Sequence, residues 1–378
     1  MGNETMKLWG VSVSYFTGKI EAYLRYKRIP YAMEHPFADA RRIRALAGAV
    51  QVPLIERADG RWMSDSTAII QAFEGEFPYR PVLPPDPVVG FIARLIEDYA
   101  DEWLWRAAMH FRWSYEHDRE LLSRILADEV TLHLPAPRVL RRTMMKRRQR
   151  QSFVVNDGVD ESTRPHVEGG YLAALDAMSA MLAARPFLLG TAPSIADYGM
   201  MGPMFRHFGQ DPTPAEIMRS RAPAVFEWVA RMWNAGSLNE SPAFLDRVPE
   251  DAEPLLRELA ETHLVQLREN ALAFARGEAT FAMTVQGTRY RRLPVSQFRV
   301  HCLAQLREHF AALAQQAQTA VRGLLPYPGC DLLWSDEVPA RSGYDEAREA
   351  PYNKAIRVFE THREPIMTRL LGAVNRRR

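Results

Sequence analysis

The chain has 378 residues, more than one hydrophobic core usually supports, so two or three domains are expected. Its composition is ordinary for a globular protein, and 48 Lys plus Arg against 46 Asp plus Glu leave a net charge of +2, too small to imply a nucleic-acid or membrane partner. Two cysteines, Cys302 and Cys330, are too few for a disulfide-stapled secreted domain or a cysteine metal cluster. No run reaches the roughly 18 apolar residues of a membrane span, and the opening MGNETMKLWG lacks an apolar signal core, so a soluble cytoplasmic protein is the expectation.

In chain order, MKLWGVSV alternates as a first strand, and TGKIEAYLRYKR places Ile20, Tyr23, Leu24 and Lys27 at helical spacing. IPYAMEHPF returns to strand character after Pro30. ADARRIRALAGAVQ reads as a short basic helix or loop, and VPLIERADGRWMS as two short strands around Ala58-Asp59-Gly60, a strong hairpin signal. DSTAIIQAFEGEF opens on capping residues and sets Ala68, Ile69, Ala72 and Phe73 on one face. These 80 residues describe a four-stranded mixed sheet with packed helices.

Residues 78–87 carry five prolines in ten positions, which marks a linker. From there to about residue 235 the pattern is helical, with a long aromatic stretch, VVGFIARLIEDYADEWLWRAAMHFRWSYE, at its start. A second boundary falls in residues 235–254. The remainder reads as a helix, a hairpin turning at Gln286-Gly287, a second long helix and a Pro-rich tail that wraps over other parts.

Three places in the first 80 residues carry chemistry. Ser14 and Thr17 sit where a redox protein's strand-to-helix corner would hold Cys-x-x-Cys, so thiol-disulfide exchange has no support there. The opening N–H groups of that helix favour a negative charge beside Ser14. The apolar strand entered through Val52-Pro53 and the helix opened by Asp65 and Ser66 are the other two, and free N–H groups at the latter suit a carboxylate.

In order and spacing these motifs resemble the glutathione-binding domain of the glutathione transferase superfamily. That family has a Ser, Cys or Tyr at the first corner, a cis Val-Pro before the third strand, and an acidic residue then Ser opening the third helix. Ser14, Val52-Pro53 and Asp65-Ser66 match, 38 and then 13 residues apart. LLGTAPSIADYGM resembles the family's buried capping box, with Ser194 and Asp197 as its reciprocal pair. The resemblance covers about residues 6–235.

It implies a thioredoxin-like α/β domain (6–80), an all-helical domain of the glutathione transferase C-terminal type (88–235), and a mostly helical extension (250–378) that the family pattern does not account for. Glutathione is then a co-substrate whose thiolate Ser14 stabilises. Tyr15, standing where the family usually has Pro, is the other candidate donor. By the same resemblance Val52 and Pro53 present backbone to the cysteinyl amide, Asp65 and Ser66 take the γ-glutamyl end, and Gln51 lies near the glycyl end. The second substrate is a small apolar or aromatic electrophile, and family members usually pair as homodimers.

Tyr99, Trp103, His110 and Trp113 recur at spacings of 4, 7 and 3, a stripe that suits a helix core. In the family that helix lines the second-substrate site, which implies Tyr99, Trp103 and His110 as pocket residues. Residues 138–150 hold seven basic residues in thirteen, a solvated face or a site for an acidic partner; no aromatic residue interleaves with them, so nucleic acid is not expected. The alternative function is a non-catalytic binding module that uses this segment and the extension.

Overall fold

The computed structural model describes residues 5–36, 39–48, 50–131, 134–238 and 243–356. It begins with β1 (Met6–Trp9), α1 (Tyr15–Tyr26), β2 (Tyr31–Glu34), α2 (Ala40–Ala47), β3 (Leu54–Glu56), β4 (Trp62–Ser64) and α3 (Ser66–Glu76). The sheet order is β2-β1-β3-β4, with β1 parallel to β2 and β3 antiparallel to both β1 and β4. Strand alternation sorts the side chains into two layers. Leu8, Ile55 and Met63 enter the main core with Ile20, Tyr23 and Ile69, whereas Trp9, Leu54 and Trp62 meet Ile43 and Ala47 of α2 on the other face. Gly60 turns the β3–β4 hairpin at φ +82°, a conformation that glycine adopts without penalty.

The helical half holds α4 (Pro87–Tyr99), a π turn (Ala100–Leu104), α5 (Trp105–Ser114), α6 (Glu116–Val130), α7 (Arg138–Arg150), a second π turn (Gln151–Val155), α8 (Arg164–Ala184), α9 (Ile195–Arg206), α10 (Pro212–Arg221) and α11 (Pro223–Trp233). The expected capping box is formed: the Ser194 N–H donates to Asp197 Oδ2 at 2.9 Å. Asp197 also accepts from Leu188 N and Trp228 Nε1, so this box ties α9 to its neighbours. A Cβ on Gly199 would lie 2.5 Å from Glu97 Cα, and this close approach is what lets α9 nest on α4. The basic segment is helix α7, with Arg142 and Lys146 paired to Glu120 of α6.

The extension supplies α12 (Glu253–Glu261), α13 (His263–Ala275), the hairpin β5 (Thr280–Val285) and β6 (Thr288–Pro294), α14 (Gln297–Ala311), α15 (Gln315–Leu324) and a short 3-10 turn (Cys330–Leu333). Gln286 and Gly287, at φ +45° and +78°, make the hairpin turn where the sequence puts it. The extension lies along one flank of α4 and α5. His263 meets Asp98 at 2.6 Å, Arg299 meets Glu102 at 3.0 Å, and Arg106 donates to Gln266 at 2.6 Å. Residues 342–355 then run as a strap to the first sheet. The part of the expected extension beyond residue 356 lies outside the described residues. Among the described residues no helix is long and apolar enough to cross a membrane.

Candidate functional site

Register alone gathers the three motifs. Trp9 pairs with Leu54 and Leu54 with Ser64, so the end of β1, the start of β3 and the end of β4 share one end of the sheet. Ser14 follows β1, Val52 precedes β3 and Asp65 follows β4, and all three are brought to that end. The Val52-Pro53 bond is cis.

Ser14 is the N-cap of α1: its backbone is extended and its Oγ accepts from Thr17 N at 3.3 Å. Capping uses an oxygen lone pair and leaves the hydroxyl hydrogen for another acceptor. The corner alternates in exposure, with Ser14 and Phe16 half-buried and Tyr15 and Thr17 enclosed. Thr17 is packed at the corner, where a Cβ on Gly10 would meet its methyl at 2.4 Å.

Tyr15 is taken out of contention as a donor. Its ring is 1% exposed and its hydroxyl donates to the carbonyl of Ala100, in the first π turn, at 2.6 Å. Burial, with Asp101 and Glu102 adding negative charge, pushes its phenol well above the ordinary value. Of the two residues expected as donors, Tyr15 is thus buried with its hydroxyl engaged, and Ser14 is half-buried at the cap.

Asp65 caps α3, with Oδ1 accepting from Thr67 N at 3.0 Å, and it does so at φ +71°. Burial raises its carboxyl to about 6, against the pull of the Lys19 ammonium, while Glu97 raises it further. Lys19 itself is buried between Glu97 and Asp101 of the helical half, 2.6 Å from the latter. Ser66 is buried, and Gln51 and Val52 are half-buried beside Pro53.

The expected pocket stripe is corrected. Tyr99, Trp103 and His110 are 0%, 5% and 2% exposed. Tyr99 packs edge-on against His263 and Trp103 against Tyr290, both from the extension. His110 is held between Glu168 and Ser114, each at 2.9 Å, and burial lowers its pKa despite the carboxylate. Helical spacing identifies a common face, but not which neighbour covers it.

On the opposite flank Trp105, itself 8% exposed, meets a second set of aromatic rings. Trp105 stacks on Phe16 of α1, with centroids 5.7 Å apart and planes 15° apart, and meets Phe153 edge-on at 5.6 Å. Phe16 is two residues along α1 from its cap Ser14. Trp105 is two residues from Trp103, so the sequence held the residue but not its side of the helix.

The strap reaches the same sheet end. Ser64 N donates to Pro351 O at 2.8 Å, Ser64 Oγ to Asn353 O at 3.4 Å, and Ala355 N to Ala47 O at 2.9 Å. Gly48, at φ +85°, makes room for it: a Cβ there would sit 2.9 Å from Ala355 O. Arg61 lies 4.4 Å over the Tyr352 ring.

Two family models match this chain. Glutathione S-transferase, N-terminal domain, matches residues 8–81, and Glutathione S-transferase, C-terminal domain, matches residues 160–231. Comparison with curated proteins gives no match. Similar solved structures include a glutathione S-transferase from Methylobacterium radiotolerans in complex with glutathione sulfonate, at 20% identity, with 65% of this chain and 100% of that one covered and a TM-score of 0.38. A beta-etherase from Sphingobium is 17% identical over 60% of this chain and 94% of its own, with a TM-score of 0.44. A glutathione S-transferase from Methylobacillus flagellatus with glutathione bound is 14% identical over 61% and 98%, at 0.38.

Proposed function

The chain belongs to the glutathione S-transferase superfamily, and we propose that it binds glutathione across the Ser14–Val52–Asp65 end of the sheet and activates its thiol for attack on a flat aromatic electrophile. The observation that carries this reading is the corner itself. Ser14 is accessible at a helix N-terminus, with a hydroxyl hydrogen to give, while its neighbours Tyr15 and Thr17 are spent on the fold.

A thiol in water has a pKa near 8.5, and lowering it by about two units needs about 2.7 kcal/mol of preference for the thiolate. One charge-assisted hydrogen bond from Ser14 contributes about 1.5 to 3 kcal/mol and the N-terminus of α1 another 0.3 to 1 or so. The two together suffice. Val52 offers its backbone to the cysteinyl amide, Gln51 faces the glycyl end, and Asp65 and the N-terminus of α3 take the γ-glutamyl head. Phe16, Trp105 and Phe153 suit an apolar ring held beside the sulfur. The new carbon–sulfur bond forms as the leaving group departs with its electron pair, and the thiol proton goes to solvent.

The test is an ultraviolet titration of the bound thiolate in the wild type and in Ser14→Ala. A bound thiol pKa well below its solution value, returning towards it in the variant, is expected. Binding with an unshifted pKa would replace this reading with the non-catalytic binding module.

A further inference from the structure

The strap carries one residue whose side chain the fold leaves unexplained. Asn353 is partly buried, and among the described residues its Oδ1 and Nδ2 are both buried without a hydrogen bond of good geometry. An amide left so is a standing penalty, and in native proteins such groups call for a ligand or an ordered water. Its backbone is fixed at the candidate site, since the Asn353 carbonyl accepts from Ser64 Oγ and the flanking Pro351 and Ala355 bond to β4 and α2.

The opposite wall of this corner is short of positive charge. Asp65 makes no ion pair among the described residues, and Lys19, the cation that lowers its carboxyl pKa, is already held by Glu97 and Asp101. Tyr344, earlier in the strap, joins the two sides. Its hydroxyl feels the Asp65 charge and lies within interaction range of the Asn353 amide. Among the described residues the corner therefore holds a carboxylate without an ion pair of its own and an amide that has only the Tyr344 hydroxyl beside it.

We propose that Asn353 is a further glutathione-binding residue, supplied by the extension, which reads the free α-amino acid head of the γ-glutamyl group together with Asp65. The head's ammonium pairs with Asp65 and donates to Asn353 Oδ1, and its carboxylate accepts from Asn353 Nδ2. This rests on the reading of the sheet end as a glutathione site. It makes the strap a wall of that site, carried some 290 residues along the chain from Asp65 and Ser66.

The experiment is calorimetric titration of glutathione into the full-length protein as wild type, Asn353→Ala and Asn353→Asp, with the unliganded melting temperature of each. Asn353→Ala is expected to bind about tenfold more weakly, the value of one hydrogen bond to a charged group, and to melt no lower than the wild type because it removes an unsatisfied amide. Asn353→Asp keeps the shape and sets a carboxylate against the ligand's own, so it is expected to weaken binding at least as much. Affinities within twofold of the wild type in both variants, or tighter binding in either, would overturn the assignment; tighter binding would make the strap a competitor of glutathione. A wild type that binds no glutathione would instead remove the functional reading and this inference with it.

Discussion

The two flanks of the α4–α5 helix differ in how their buried charges are paired. On the extension side, the buried side chains form ion pairs and hydrogen bonds, Asp98 with His263, Glu102 with Arg299, and Arg106 with Asp157 and Gln266, although Arg106 Nη1, Asp157 Oδ2 and His263 Nδ1 have no partner among the described residues. At the sheet end reached from the other flank, among the described residues the Ser14 hydroxyl hydrogen has no acceptor, Asp65 makes no ion pair, and the Asn353 amide has only the Tyr344 hydroxyl beside it. Burying charge is tolerable only with partners in place, so the matched flank is built for cohesion.

Breaking the matched flank should have the largest effect. Arg299→Met leaves Glu102 buried and uncompensated, and a loss of about 3–5 kcal/mol is expected in urea unfolding, most of it recovered by adding Glu102→Leu. Next is Tyr15→Phe, which strands the Ala100 carbonyl and should lower stability by about 1–3 kcal/mol while leaving the pKa of bound glutathione unchanged. If it shifts that pKa as Ser14→Ala is expected to, the division between core tyrosine and active serine fails.

Titration sharpens the contrast further. The Asp65 carboxyl lies at about 6 when folded, above its unfolded value near 3.9, so the folded state holds the proton longer. Its contribution is favourable below the unfolded value and is lost as pH rises from about 4 to 6. Asp65→Asn keeps the α3 cap and should abolish this loss, gaining about 2–3 kcal/mol over the wild type in melts at pH 7 relative to pH 4. The smallest effect belongs to the exposed pair of Arg221 and Asp176, where Arg221→Ala should leave the urea unfolding midpoint unchanged within error.

Legibility followed the range of the interaction. The β3–β4 turn at Gly60, the turn at Gln286-Gly287 and the Ser194–Asp197 box depend on residues a few positions apart, and the structure has them where the sequence places them. Tyr99, Trp103 and His110 were legible as one face but not as a covered one, because the covering residues His263 and Tyr290 lie more than 150 positions away. Trp105 escaped notice for the same reason, since its partners on α1 and in the second π turn set its role.

The sequence by itself determined the strand–helix order of the first 80 residues, the caps at Ser14 and Asp65, and hence which N–H groups gather at one end of the sheet. Local backbone preferences and hydrophobic period suffice for that. Only the tertiary structure decided that Tyr15 faces the core, that the extension seals the Tyr99 flank, and that Asn353 arrives beside Ser64. Those outcomes rest on contacts between distant segments, whose pairing depends on shape and charge complementarity across whole elements, which no local pattern encodes.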